Sequence, residues 1–520
     1  METVSDSGPS HIVMLMLDAF RPDYLTLYDP PNLKRLMREG TWVAEARSVF
    51  PSTTTTNQTS FVTGAFPGST GIPNNARYDR ESDRILRPLR DNRCPTIAEI
   101  LRDNGWTAAS VNHFMLENRG ADPYIRGSME DVIGLFAGEG DPPGLVVYYH
   151  SHTDSVGHAF GPFSPEMREA VLAIDEDIGR LIDVLHAKGL ADRTVVVVAS
   201  DHGMVPNDGR PVDPPLEELA ARLGLKVALS DEEIDADTEL VALFFGCAFL
   251  YWREGKRTPE REHEVVEALS RARGLRVLRA EDIRALRADP ERLGDIVLVP
   301  EEGWMIRKGS GTGGYHGPPF AGHSTMLFWG AGVRRGHVLH RASITDIVPT
   351  LLALAGVEVP PSVDGQVLTG VMDRAEDSPG SEMTPGAATE ALDEVAAALD
   401  VDEHTAEATV TPEQLPYGAW RWDLDLGTVR RVKAVGVEAA VDAEAVGPSL
   451  YLLEVSANGE DYVDFAQGIL EPVTAGQVAW IKTETPVAAR YVRLVAYRGH
   501  AGREREVRVG RLLVTSDGEG

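Results

Sequence analysis

Three apolar runs of this chain end at an aspartate, and two of the three carry a histidine close by. The runs are "VMLMLD" at Asp18, "VVYYHSHTD" at Asp154 and "VVVVASD" at Asp201. His158 lies four residues after Asp154 in "HTDSVGH", and His202 follows Asp201 directly in "SDHG". Each carboxylate alone suits a helix N-cap, and each histidine alone suits a core or surface position. Together they form the mixed oxygen and nitrogen donor set of a Zn²⁺ site, in which an i, i+4 pair faces one ion from a single turn. The adjacent Asp-His step needs a sharp turn, which Gly203 permits.

Such carboxylates converge only if parallel strands carry them to one crevice at their carboxyl ends. The chain to about residue 205 reads as that frame. Its apolar runs "HIVMLMLD", "GLVVYYHSHTD" and "TVVVVASDHG" alternate with helical patterns such as "NLKRLMREG", "CPTIAEILRDNG" and "PEMREAVLAIDEDIGRLIDVLHAKG". This predicts an α/β domain with a largely parallel sheet covered by helices on both faces. Residues 206–310 change rhythm to a strand, helix, strand, strand order, expected to form an α+β cap insert. "STMLFWGAGVRRG" and "SITDIVPTLLALAGV" then add a buried strand and an amphipathic helix that close a first domain over residues 1–375. Residues 376–400, rich in Glu, Ala, Pro and Ser, read as a linker. Residues 401–520 carry short alternating strands, the pattern of an all-β sandwich.

Between Asp18 and the first Asp-His pair lies "VFPSTTTTNQTSFVTG", Val49 to Gly64. A Ser/Thr cluster before a helix is ordinarily capping chemistry, and that reading fits Thr55 or Thr56. Read together with "LMLDAFRPDYL", "HTDSVGHAFGP", "SDHGM" and "YHG", in that order, the stretch resembles the alkaline phosphatase superfamily, most closely its nucleotide pyrophosphatase/phosphodiesterase branch. The resemblance covers about residues 10 to 370 and implies an alkaline-phosphatase-like fold with two zinc ions, at the spacing of about 4 Å usual in two-metal hydrolases. It implies one ion held by Asp18, Thr54, Asp201 and His202, and the other by Asp154, His158 and a further histidine. For that last ligand His316 in "GGYHGPPF" matches the family step better than His323 in "AGHSTMLFW". The family pattern Phe-Pro-Thr-x-Thr-x-x-Asn falls on Phe50 to Asn57 and makes Thr54 the nucleophile. The same register places Asn75, rather than Asn74, at a phosphoryl oxygen. Thr54 would attack in line to give a phosphothreonine intermediate, with Asn75 and the backbone N–H beside Thr54 donating to the equatorial oxygens.

Two departures bear on the substrate. Nucleotide-cleaving relatives carry an aromatic residue just after the nucleophile, where this chain has Thr55. Relatives acting on monoesters or phosphonates carry a cationic pair where "ASVNHFMLENR" offers His113 and Met115. A diester or nucleotide pyrophosphate is therefore the expected small-molecule substrate, and His113 the expected substrate contact. A phosphomonoesterase or phosphonate hydrolase on the same fold is the enzyme alternative. A sulfatase is the weakest of these alternatives, because members of that branch use a Cys or Ser converted to formylglycine and Thr54 cannot be so converted. The alternative of another class is a non-catalytic protein that binds metal and glycan.

The C-terminal segments "RWDLDLGTVRRVKAVGV", "YLLEVSANGEDY" and "ARYVRLVAY" resemble the discoidin, or coagulation-factor type C, jelly-roll sandwich. That resemblance implies a glycan ligand; docking on the catalytic domain or a homodimer are the other roles it suggests. Trp420 and Trp422 read as alternating strand residues rather than a sugar platform. The formal charge of -30 argues against duplex nucleic acid and anionic membranes as partners. Cys94 and Cys247 are the only cysteines and lack metal spacing, so a reducing compartment suits them. No apolar window is long enough to span a membrane. The acidic start lacks the features of a signal peptide, so a cytoplasmic location is expected.

Overall fold

A computed structural model describes residues 8–306 and 313–373, and beyond them the strand segments 406–408, 413–414, 419–439, 448–456, 463–469, 478–499 and 509–517. The expected linker at residues 376–400 lies outside the described residues.

The central sheet runs Tyr124–Ile125, Ala108–Val111, Leu145–His150, His11–Leu17, Thr194–Ala199, Met326–Gly330, Thr41–Arg47 and His337–Ser343. The strand His11–Leu17 lies parallel between Leu145–His150 and Thr194–Ala199. These are the three strands that deliver the aspartates, so Asp18, Asp154 and Asp201 follow the same end of the sheet. Apolar residues fill both sides of the central strand because helices cover both faces. Val13, Leu15 and Leu17 pack with the helices Pro31–Glu39 and Pro165–Ala187, through Leu33, Leu36, Ile174 and Ile178. Ile12, Met14 and Met16 pack with Thr54–Thr63, Ile97–Asp103 and Ile347–Leu354, through Phe61, Val62, Leu101 and Leu351.

Two features differ from the expectation. The closing strand Met326–Gly330 runs antiparallel to both neighbours, because the chain returns to the sheet from the cap rather than through a crossover helix. The edge strand His337–Ser343, which pairs parallel with Thr41–Arg47, has no counterpart in the sequence reading; its "HVLHRAS" has little apolar run to signal it.

The cap is a five-stranded sheet ordered Val227–Ala228, Leu240–Phe245, Cys247–Trp252, Ile296–Pro300 and Leu275–Leu278. One face carries the helix Pro259–Ser270 through Val265, Val266 and Leu269. The other packs Phe249, Tyr251 and Val297 onto Phe50, Tyr78 and Ile85 of the main body. The cap therefore sits directly over the segment that leads into the threonine run.

The C-terminal strands form one antiparallel sheet in the order Ala406–Ala408, Val509–Asp517, Ala419–Ala439, Val478–Gly499, Pro448–Ser456 and Val463–Ile469, with Glu413–Gln414 also on Ala419–Ala439. Its core takes Trp422, Leu424, Leu426 and Val432, then Val435 and Val437. That switch from even to odd positions follows the register shift between Val432 and Ala434, since an extra residue turns the following side chains to the other face. Trp422 is a core residue, and the Trp420 side chain lies outside the described residues. No helix among the described residues is long and apolar enough to cross a membrane.

Candidate active site

The threonine run folds as the start of the helix Thr54–Thr63, with Thr53 in extended conformation as its N-cap. Asn57 fastens the loop before it: its Nδ2 donates to the carbonyls of Pro51 and Thr53 at 3.0 Å, and its Oδ1 accepts from the Val49 N–H at 2.7 Å. The four threonines then separate. Thr54 is the one whose hydroxyl reaches the aspartate and histidine cluster, with Oγ1 3.3 Å from His202 Nε2. Thr56 bonds the Thr53 hydroxyl at 3.1 Å, and Thr53 makes no side-chain cap, so capping does not account for the run. Thr55 gives its N–H to Asn75 Oδ1 at 2.9 Å. That N–H is thereby engaged within the protein. The bond fixes the half-buried Asn75 amide by its oxygen, leaving Nδ2 as the outward donor. Asn74 is buried and accepts the Asn75 N–H.

Three carboxylates and three imidazoles meet beside Thr54. The ligand atoms of Asp18, Asp154 and His202 lie within 4.8 Å of one another, and so do those of Asp154, His158 and His316. Asp201 joins them with Oδ2 3.7 Å from His202 Nε2. Asp154 Oδ1 is 3.3 Å from His158 Nε2 and 3.7 Å from His316 Nε2, while His202 Nε2 is 3.4 Å from Asp18 Oδ1. His316 is thus the further histidine brought to the cluster. His323 lies on a two-residue strand beside Arg47 and belongs to neither group.

The fit to metal can be judged from the remaining atoms of each donor. All three imidazoles make their Nδ1 bond to a backbone carbonyl: His158 to Gly314 at 2.9 Å, His202 to Gly203 at 2.8 Å and His316 to Ser52 at 2.9 Å. Those bonds place the ring proton on Nδ1 and leave Nε2 as a lone pair facing the cluster, the arrangement of metal-bound histidine. Asp18 Oδ1, Asp154 Oδ1 and Asp201 Oδ2 are buried with no hydrogen-bond donor. The second oxygens of Asp18 and Asp201 are held: the Tyr149 hydroxyl donates to Asp18 Oδ2, and the Ala19 and His202 N–H groups donate to Asp201 Oδ1 at 3.2 and 2.9 Å. Buried carboxylate oxygens without donors are costly unless a cation meets them, so the residues fit a divalent metal centre.

The electrostatics agree for His202 and His316, which stay neutral, whereas Asp154 draws His158 toward its protonated form until a cation takes that place. Burial, then the neighbouring Asp201 and Asp154 charges, holds Asp18 well above the usual carboxylate range. Burial likewise raises Asp201 to about 7. Asp154 is also buried, yet its contacts with His158 and His316 hold it at about 2. Burial lowers His202 to about 4 and His316 to about 3, which keeps both neutral and able to ligate. His158 is raised by its contact with Asp154.

His113 does not join the cluster. It is fully buried, stacked between Phe61 at 5.9 Å and Phe114 at 6.1 Å and set against Tyr149, and burial lowers it to about 3. The expected substrate contact is corrected to a packing position. Gly203 is needed for closeness rather than for its torsion: its N–H bonds the Ala321 carbonyl at 2.8 Å, and a side chain there would crowd the His323 carbonyl. The sequence reading did not reach Tyr149 or Thr153, whose hydroxyls hold the Asp18 carboxylate and the Asp18 carbonyl. Both stand in the quoted "YYHSHTD", but their partner is more than 130 residues away.

Comparison with known proteins places this geometry. Residues 12–109 and 105–319 match the family model of type I phosphodiesterase / nucleotide pyrophosphatase. Mouse bis(5'-adenosyl)-triphosphatase is 26% identical over 388 residues, spanning 69% of this chain and 80% of that protein. An uncharacterised pyrophosphatase/phosphodiesterase of Schizosaccharomyces pombe is 31% identical over 223 residues, 38% of this chain and 45% of that protein. Murine ectonucleotide pyrophosphatase/phosphodiesterase 5 has the same fold, with a TM-score of 0.57 at 23% identity over 70% of this chain and 100% of that chain. A family match over more than half the chain, on a fold that gathers Thr54 with three aspartates and three histidines, makes this protein a hydrolase of the type I phosphodiesterase / nucleotide pyrophosphatase family.

Proposed function

We propose that this chain is a two-zinc hydrolase of phosphodiester or nucleotide pyrophosphate bonds with Thr54 as its nucleophile. The observation that carries the reading is the Thr54 hydroxyl at the first position of its helix, 3.3 Å from His202 Nε2 and beside the orphaned oxygens of Asp18 and Asp201. Asp18, Thr54, Asp201 and His202 would hold one ion, and Asp154, His158 and His316 the other. When bound, the ions supply the charge that lowers the hydroxyl pKa of Thr54 and offsets charge on the departing oxygen.

Thr54 Oγ1 attacks phosphorus in line, the bond to the leaving oxygen breaks, and water hydrolyses the phosphothreonine to return the free hydroxyl. Asn75, its oxygen fixed by the Thr55 N–H, presents Nδ2 to an equatorial oxygen as negative charge moves there. The segment around His113 and Met115 is buried packing, which supports a diester or pyrophosphate over a dianionic monoester. The mouse relative's description makes diadenosine triphosphate the first natural-type substrate to try. A murine relative was also solved as an inactive threonine-to-alanine variant with AMP, which supports a threonine in the central role.

Residues 401–520 are assigned to a discoidin-like module with a glycan ligand, supported by the antiparallel sheet around a single apolar core. The catalytic reading is tested with zinc-loaded protein on bis(p-nitrophenyl) phosphate, diadenosine triphosphate and p-nitrophenyl phosphate. Cleavage of the first two well above the third is expected, with Thr54→Ala slower by about 10³-fold or more. No cleavage of either, or full activity in Thr54→Ala, would refute it.

A further inference from the structure

The cap's hairpin tip touches the backbone that carries a candidate metal ligand. The strands Leu240–Phe245 and Cys247–Trp252 turn at Gly246, where φ is +71°. A side chain on Gly246 would overlap the His316 carbonyl oxygen, and one on Gly317, at φ +114°, would overlap the Phe245 carbonyl oxygen. Two backbones therefore meet with no room for a Cβ on either.

The segment between them is held on its other sides by the donors themselves. Ser52 gives its N–H to the Gly317 carbonyl at 3.0 Å and takes the His316 Nδ1–H at 2.9 Å. The Gly314 carbonyl takes His158 Nδ1–H at 2.9 Å, and a side chain on Gly313 would overlap the His158 carbonyl. The cap end of this strut is fixed in turn. Arg80 pairs with Asp295 at 2.6 Å, Arg253 Nε pairs with Asp83 at 3.0 Å, and the Ile85 N–H bonds Asp231 at 2.7 Å.

We propose that the cap hairpin tip, through Gly246, positions the backbone of Gly313–Gly317 and with it the His316 and His158 donors, so that the cap is part of the half-site built on Asp154. This rests on the two-metal reading above. Coupling of this kind is reciprocal: the metal at that half-site also holds the hairpin. Gly246 is a positioning residue; it touches no reacting group.

The test compares Gly246→Ala and Gly317→Ala with Gly255→Ala. Gly255 has the same φ of +71° with open space around it, so it carries the backbone strain without the overlap. Calorimetric titration of metal-free protein with Zn²⁺ is expected to show two sites in the parent and in Gly255→Ala. In Gly246→Ala and Gly317→Ala one site should be retained and the other weakened by about 10- to 100-fold, the usual effect of disturbing ligand support. Hydrogen exchange across residues 240–252 should slow on filling the second site in the parent and not in Gly246→Ala. Two undisturbed sites in Gly246→Ala, or equal loss in Gly255→Ala, would overturn the proposal. So would loss of a cooperative unfolding transition in both overlap variants, which marks a general packing contact. A parent that binds no zinc would overturn the two-metal reading as well, which separates the two failures.

Discussion

At the scale of single residues, the site divides into atoms that face the cluster and atoms that hold them there. Tyr149 is the clearest holder: its hydroxyl donates to Asp18 Oδ2, while Asp18 Oδ1 is left to the cluster. Burial and the Asp18 charge raise the Tyr149 pKa, so it remains a donor throughout the accessible range. Tyr149→Phe removes that donor and leaves both Asp18 oxygens without one. Zinc affinity at the half-site of Asp18, Asp201 and His202 is expected to fall about tenfold or more, with the Asp154 half-site unchanged. The opposite selectivity is expected of Gly246→Ala, and titration of both variants checks the assignment of donors to half-sites; parallel losses at both sites would reject it. Residues that face the cluster were legible in the sequence because strand-end Asp and Asp-His spacings are local signals. Tyr149, and the carbonyls of Ser52 and Gly314, were not, because a hydroxyl in a strand or a carbonyl in a loop acquires its role only from a partner brought in by the fold.

At the scale of elements, alternating strands and helices and the parallel sense of the central strands were readable, whereas the sense of the closing strand and the end cap of one helix were not. The helix Pro31–Glu39 shows why. It begins with Pro31, and its N-cap Pro30 has no side chain that can accept a bond. Its first N–H groups are met from another helix: Asp175 Oδ1 accepts from Leu33 N–H at 2.7 Å, and Oδ2 accepts from Asn32 N–H at 3.2 Å and Asn32 Nδ2 at 3.0 Å. Asp175 is buried in the middle of Pro165–Ala187, and nothing in its neighbourhood in sequence marks it as a cap. Asp175→Ala should cost about 1–3 kcal/mol by leaving those donors buried without an acceptor, with Asp175→Asn costing less. Thermal unfolding of the zinc-loaded protein measures this, and an unchanged midpoint in Asp175→Ala would remove the cap from the account. The closing strand Met326–Gly330 makes the same point about direction. Its apolar run identified a buried strand, but its antiparallel sense depends on the chain arriving from the cap.

At the scale of the whole molecule, folding brings three carboxylates of an already acidic chain to one buried place. The formal charge is -30, and the cluster adds local repulsion that the fold must carry whenever cation is withheld. Asp201 is raised from an ordinary value of about 3.9 to about 7, with burial as the leading cause, and Asp18 is raised as well. A carboxyl whose folded pKa exceeds its unfolded one binds more protons in the native state. Its contribution is therefore fully present below about pH 4 and is lost as pH rises toward 7. Asp154 shifts the other way, to about 2, so its contribution is already complete above about pH 4 and adds no slope in this window. His202 at about 4, His316 at about 3 and His113 at about 3 shift against an unfolded value of about 6.5, so they gain stability over this same window and oppose the two raised carboxylates in the metal-free protein. Divalent cation needs Asp18 and Asp201 ionised and competes with their protons, so the stability it adds should be largest at the upper end. Thermal unfolding with zinc and with chelator, stepped across that range, should show a gap in midpoint that widens with pH. A gap that stays flat would mean that Asp18 and Asp201 are not ligands, because those two carboxylates would have to exchange protons for metal across this range.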